Sequence, residues 1–370
     1  MTEVILKPEL YHFDSCAEFV AQFALGEGDL ILTNRYIYEP AFGGLGLQVN
    51  TLFQEDYGTG EPTDVMVDQI LAALDVPPRR LIAIGGGTVI DIAKVIAVAD
   101  GGGVDSLYEK APALTRRCEL ILIPTTCGTG SEVTNIAILN RLRMGTKMGL
   151  VSPQMYADAA VLIPQLLEAL PFSVFATSSI DALVHAVESA LSPKATPYTK
   201  LFSYRAIELL LRGYQEIASN GPDARLPLLD DFLIASNYAG IAFGTAGTAA
   251  VHAMSYPLGG SYHVPHGESN YALFTGVLNA YHRLDCSGEL VVLETFLSRL
   301  LGCPMDGVYS ALDVLLNHIL PKKPLHAYGV TQADLPVFVD TVLTAQGRLT
   351  ANNFTHLDRE ALLQIYGSLF

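Results

Sequence analysis

"IAIGGGTVIDIAK" (residues 82–94) is an apolar run that stops at three glycines and restarts as a helical pattern. A strand buried on both faces reads as a continuous Leu/Ile run. A helix opening directly on glycines offers bare N–H groups and a positive dipole end, and glycine lets a ligand approach the backbone closely. The run is not G-x-G-x-x-G, so the usual dinucleotide fingerprint is missing. By itself a triple glycine fits a tight strand-to-helix turn equally well.

Outward from this stretch, "DLILT" (29–33), "RLIAIGGG" (80–87) and "ELILIPTT" (119–126) predict buried parallel strands, and "VIDIAKVIAVA" (89–99) a helix between two of them. Strand and helix in alternation predict a layered α/β domain. "NIAILN" and "KMGLVS", joined by "RLRMGT", predict a hairpin hung on it, with "RLRMG" an exposed tip. Past Leu166 helical patterns dominate, among them "FATSSIDALVHAVESAL" and "ELVVLETFLSRLLG". The expected organisation is an α/β dinucleotide-binding domain over 1–165 and an all-helical metal-binding domain over 166–370.

The totals limit the function. A chain of 370 residues, half of them hydrophobic, can bury full cores without disulfides. Its five cysteines are scattered, with no C-x-x-C pair, which suits a reducing cytoplasm. A net charge of −16 with no basic stripe argues against nucleic acid. The run Phe232 to Gly267 carries no Asp, Glu, Lys or Arg, but its Gly, Ser, Thr and Asn make it a poor membrane span, and "MTEVILKPEL" lacks a cationic leader. The expected partners are a small-molecule substrate and further copies of the chain, not nucleic acid or membrane.

A second loop, "PTTCGTGSE" (124–132), also follows an apolar strand and sets Thr125, Thr126, Thr129 and Ser131 around two glycines. Hydroxyls and bare backbone at the carboxyl ends of parallel strands suit a pyrophosphate or ribose. Two such loops together favour a dinucleotide crevice. Cys127 lies in the second loop without a Cys–His–acid pattern and reads as a packing residue.

The uncharged run keeps three histidines, His252, His263 and His266. Buried imidazoles need hydrogen bonds or a metal. In "DALVHA", Asp181 and His185 stand four residues apart, on one helix face with apolar neighbours. His252 and His266 can join them only from two segments, because Pro257 and Gly259–Gly260 are expected to break a helix between them. One carboxylate with three imidazoles suits Fe(II), or Zn(II), and leaves a position for a substrate oxygen.

The blocks "GGGTVIDIAK", "PTTCGTGSEVTN", "DALVHAVES" and "HAMSYPLGGSYHVPHGESN" resemble, in order, those of the iron-containing (group III) alcohol dehydrogenases. The resemblance implies an N-terminal α/β nucleotide domain and an all-helical C-terminal domain, a dehydroquinate synthase-like architecture with the metal in the cleft between. It implies metal ligands at Asp181, His185, His252 and His266, and pyrophosphate contacts at Gly86, Gly87, Thr88 and Asp91. A second cofactor loop falls on Thr125 and Thr126, and Lys147 matches a lysine on the cofactor; Lys94 is expected on the cofactor side too. The implied chemistry is NAD-linked alcohol oxidation, the likeness being greatest to the branch that interconverts 4-hydroxybutyrate and succinate semialdehyde. Butanol or propanediol oxidation is the alternative, and a dehydroquinate synthase-type lyase a more distant one, disfavoured by the scarcity of Lys and Arg around the metal blocks.

Two positions depart from the family pattern. Tyr256 stands where many relatives have a second histidine, and is expected to line the site as a hydrogen-bond donor or proton exit. Asn34 stands where NAD-choosing relatives often have Asp, an acid that holds ribose hydroxyls and repels a 2′-phosphate. For a substrate carboxylate, His263 is the expected partner, with Arg141 and Arg143 as stronger but more distant anion binders.

Overall fold

The computed structural model describes residues 2–74 and 76–370. They fall into two compact units, one within Leu6–Leu170 and one of residues 2–5 with Pro171–Phe370.

The first unit is built on a six-stranded, wholly parallel sheet. Its strands are β1 (Glu9–His12), β2 (Asp29–Thr33), β3 (Asn50–Phe53), β4 (Arg80–Gly85), β5 (Glu119–Pro124) and β8 (Ala159–Leu162), in the order β1-β8-β5-β4-β2-β3. The three strands expected from the Leu/Ile runs form its centre. Alternation sends Leu30, Leu32, Leu81, Ala83, Leu120 and Leu122 to one face and Ile31, Ile82, Ile84, Ile121 and Ile123 to the other. On the leucine face pack α3 (Asp64–Ala72), α4 (Gly87–Ile96) and α5 (Val104–Glu109); on the isoleucine face pack α1 (Cys16–Phe23) and α2 (Arg35–Phe42). Burial on both faces is why these strands show no polar alternation. The hairpin is present, β6 (Ile136–Arg141) pairing antiparallel with β7 (Thr146–Val151).

Its tip is exposed at residues 142–145, as expected, but its arginines are engaged. Arg141 is buried, bonded to Asp105, 3.6 Å from Asp64 Oδ2 and stacked on the Tyr108 ring, and Arg143 holds Asp68 at 2.7 Å. Both guanidiniums thus fasten the hairpin to α3 and α5. As both are committed to carboxylates, they are withdrawn as partners for a substrate anion.

The second unit is helical: α6 (Phe172–Leu191), α7 (Pro197–Asn220), α8 (Leu229–Ala246), α9 (Ala250–Tyr262), α10 (His266–Leu284), α11 (Gly288–Leu301), α12 (Val308–Ile319), α13 (Asp334–Ala345), α14 (Gly347–Thr350) and α15 (Arg359–Ser368). Helix α6 packs on α7, α8 and α10. Most of the uncharged run supplies α8 and α9, and no helix among the described residues is long and apolar enough to cross a membrane. Helix α9 continues through Pro257 and both glycines. The break comes later, at His263–Pro265, where His263 takes the left-handed conformation (φ 54°) and ends α9. His252 and His266 do arrive from two helices, as expected, but Pro257 is not the reason.

Candidate active site: a buried Asp–His cluster and two nucleotide loops

The helical unit places Asp181 and His185 one turn apart on α6, His252 in the first turn of α9 and His266 at the first position of α10. One ligand-type atom from each lies within 4.8 Å of all the others. Asp181, His185 and His252 are buried, and His266 is half-buried. Gly267 makes the approach of α10 to α6 possible, since a Cβ there would stand 2.3 Å from the Thr177 carbonyl oxygen. Phe243 of α8, from the uncharged run, stacks on the His185 ring at 4.4 Å.

The cluster's polarity asks for a cation. His185 Nε2 and His252 Nε2 face each other at 2.9 Å. His252 Nδ1 lies 2.6 Å from Glu188 Oε2, which fixes its proton on Nδ1 and leaves the Nε2 lone pair facing inward. Burial alone would raise the Asp181 carboxyl, but the imidazoles of His185, His266 and His252 and the Asn270 amide outweigh it, and its pKa is lowered. An anionic oxygen and convergent imidazole nitrogens at a largely buried place are the donor set of a borderline divalent ion. The residues present fit one.

Two members of this site were not expected from the sequence. Glu188 accepts from Ala249 N and Val251 N as well as His252 Nδ1, so it caps α9 while it aims the ring. Asn270 Nδ2 lies 2.7 Å from Asp181 Oδ1, 3.1 Å from His252 Nε2 and 3.2 Å from His266 Nε2. Spacing carried a signal for both: Glu188 is three residues after His185, Asn270 four after His266, each on its ligand's helix face.

Tyr256, one turn after His252, is half-buried with its ring centroid 6.2 Å from that of His266. His263 is exposed at the α9 terminus.

In the first unit the two loops sit side by side, at the ends of neighbouring β4 and β5. Gly86 and Gly87 open α4, and a Cβ on Gly87 would meet Thr129 Cγ2 at 2.9 Å, so the loops touch because Gly87 is bare. Thr125 N donates to Gly85 O at 3.1 Å, and a Cβ on Gly86 would meet Thr126 Cγ2 at 3.5 Å. Thr88 Oγ1 donates to Gly60 O at 3.0 Å, and Lys147 Nζ lies 2.6 Å from Glu61 Oε2. Cys127 is fully buried. Asp91 already takes Ser131 Oγ at 2.5 Å and Ile138 N at 2.8 Å, which ties α4 to the second loop and the hairpin. Lys94, expected on the cofactor side, is instead fully buried, donating to Ser131 Oγ, Thr134 Oγ1 and Ile136 O. Burial pushes its ammonium pKa down, against Asp91 and Glu132, and it serves the fold. Asn34 is also committed, its Nδ2 donating to Gln54 Oε1 and Glu55 Oε2.

The chain belongs to the iron-containing alcohol dehydrogenase family: residues 13–164 match the iron-containing alcohol dehydrogenase model and residues 175–370 the C-terminal model of the same family. It is an oxidoreductase, an NAD-dependent alcohol dehydrogenase working with a metal, which decides against the lyase alternative. Among curated proteins it is 44% identical to the 4-hydroxybutyrate dehydrogenase of Clostridium kluyveri, over 99% of both chains. Among solved structures a 1,3-propanediol oxidoreductase superposes with a TM-score of 0.86 at 23% identity, all of both chains covered. The sulfoacetaldehyde reductase of Bifidobacterium kashiwanohense, solved with NAD+, does so with 0.85 at 21% over 100% of this chain and 98% of its own. At those identities the two structures speak for the fold.

Proposed function

We propose that the chain interconverts 4-hydroxybutyrate and succinate semialdehyde with NAD. The observation that carries this reading is the 44% identity, end to end, with the Clostridium kluyveri enzyme of that name. In the oxidation, the C4–H bond breaks with its electron pair going to the nicotinamide, and the hydroxyl proton leaves to solvent. Asp181, His185, His252 and His266 would hold the divalent ion, iron by family, which would supply Lewis-acid chemistry at the alcohol oxygen. Gly86, Gly87, Thr88, Thr125 and Thr126 receive the cofactor phosphates and ribose on backbone N–H groups and hydroxyls. Lys147 pairs with Glu61, the neighbour of the Gly60 that Thr88 bonds, and Asp91 holds the two loops in register. The enzyme acts in the cytoplasm, in keeping with its five free cysteines, and as a homo-oligomer.

Tyr256 carries protons between the site and solvent, a role supported by its half-buried ring beside His266. Tyr256→Phe keeps the ring and removes one hydroxyl, so kcat is expected to fall about fivefold, the worth of one hydrogen bond, with a changed pH profile. Unchanged kcat and pH dependence would leave the ring a packing role only.

His263 takes the substrate carboxylate. It is exposed, and His266 follows it by three residues. Because its backbone is left-handed, asparagine is the cleaner replacement, being tolerant of that conformation. His263→Asn is expected to lower kcat/KM for 4-hydroxybutyrate by roughly 1–3 kcal/mol while sparing n-butanol, which has no carboxylate. Equal losses on both alcohols would remove His263 from the carboxylate. A wild-type enzyme that prefers n-butanol would overturn the substrate assignment itself.

A further inference from the structure

The first unit has no acid at the residue after β2, where NAD enzymes hold the adenosine ribose. That residue is Asn34, 5% exposed, with both amide hydrogens spent on the end of β3. The acid arrives instead from the turn that follows the neighbouring strand, Gln54–Asp56. Glu55 Oε2 accepts from Asn34 Nδ2 at 2.8 Å and Glu55 Oε1 from Arg35 N at 2.7 Å, so its carboxylate is drawn over the carboxyl end of β2. It stays partly open, with 27% of the side chain exposed.

The surroundings place this carboxylate beside the nucleotide loops. Thr33 Oγ1 donates to Ile84 O at 2.7 Å, tying the end of β2 to the end of β4, where the glycine turn begins. Thr33 and Phe53 are parallel partners, so β3 ends level with them. With strands about 4.8 Å apart, the end of β3 stands about 10 Å from the glycine turn, within the reach of one nucleotide half. The segment after β3 then returns to the head of α4, where Thr88 bonds Gly60.

The local cation is also withheld. Arg35 is the side chain there suited to a 2′-phosphate, yet Nη1 and Nη2 make paired 2.7 Å bonds to the two oxygens of Asp56, and its guanidinium lies 4.3 Å over the Phe53 ring. Two carboxylates against one engaged guanidinium leave this end negative.

We propose that Glu55 selects NAD over NADP: its carboxylate accepts a hydrogen bond from the adenosine 2′-hydroxyl, while Asp56 keeps Arg35 from serving a 2′-phosphate. Asn34 is a positioning residue that holds Glu55 over β2. This rests on the NAD-dependent reading above, and is measured by binding so that it stands apart from the choice of alcohol.

The experiment titrates NADH and NADPH into the wild type, Glu55→Gln and Asp56→Asn by nucleotide fluorescence, with kcat/KM for NAD and NADP measured beside it. Glu55→Gln keeps an acceptor for Arg35 N and removes the charge. Its NADH-to-NADPH preference is expected to fall tenfold to hundredfold, the range for one charged hydrogen bond. Asp56→Asn loosens the hold on Arg35, whose remaining carboxylate is then Glu55 Oε1 at 3.7 Å, so it should gain NADPH affinity by about fivefold with NADH binding nearly unchanged. Should Glu55→Gln fail to fold, the Asp56→Asn gain still decides. Preferences within twofold of wild type in every variant that folds would overturn the proposal. A wild type that binds NADH firmly but does not oxidise 4-hydroxybutyrate would defeat the substrate assignment and leave this one standing.

Discussion

Alanine in place of His252 is expected to strip the protein of iron and lower kcat by about a thousandfold, because a Lewis acid stabilises charge on the reacting oxygen by several kcal/mol and each 1.36 kcal/mol is tenfold. His252 joins the cluster to Glu188 behind it. Its Nε2 lies 2.9 Å from His185 Nε2, 3.9 Å from Asp181 Oδ1 and 3.1 Å from Asn270 Nδ2, and its Nδ1 bonds Glu188. Removing the ring deletes one donor and leaves the buried Glu188 carboxylate with backbone partners alone. Metal content and steady-state NADH formation check the result, with circular dichroism to show that the helical unit is intact. A folded variant that keeps both iron and rate would remove His252 from the metal.

The second large effect belongs to Glu188→Gln. The carboxylate serves three donors, Ala249 N, Val251 N and His252 Nδ1, all within 2.9 Å. Glutamine has one carbonyl oxygen for them and brings an NH2 where the other oxygen stood. If that NH2 faces Nδ1, the His252 proton must move to Nε2, and the lone pair that faces the cluster is lost. Metal affinity is expected to drop about 10–100-fold, as for other partners that orient a ligating histidine. Loss of the cap should cost about 1 kcal/mol besides. The two roles separate on measurement. A purely structural Glu188 would lower Tm and leave the Fe(II) or Co(II) binding constant alone, whereas a positioning Glu188 lowers that constant, with activity recovering at high metal.

These two residues also show how far the sequence could be read. The three central strands were legible because burial on both faces writes itself as uninterrupted Leu/Ile runs. The short strands β1, at the sheet edge, and β8, beside it, four residues each, were not: "ELYH" is polar and "AAVL" too short to distinguish from a helix fragment. Asp181 and His185 were legible because one turn of helix separates them. Glu188 was missed although it lies on the same face, since a lone acid on a helix is usually a solvated one. The Pro257 expectation failed for a local reason: proline removes one helical bond, and buried α9 keeps its course while the actual terminator is a left-handed histidine. Charged residues misled most. Lys94 and Arg141 read as ligand binders or tip residues, yet both are buried fasteners whose partners, Ser131 for one and Asp64 for the other, lie 37 or more residues away in sequence. Pairings at that separation are set by the tertiary fold, and no local pattern encodes them.

The central claim is that a metal held by Asp181, His185, His252 and His266 makes this chain an NAD-linked alcohol dehydrogenase. It is tested most directly by removing metal from the purified wild type with a strong chelator and restoring Fe(II) without air, while following NADH formation from 4-hydroxybutyrate. The account predicts that the rate collapses on chelation and returns on adding about one equivalent of Fe(II) per chain, the capacity of one four-donor cluster. A rate that survives complete metal removal would contradict it.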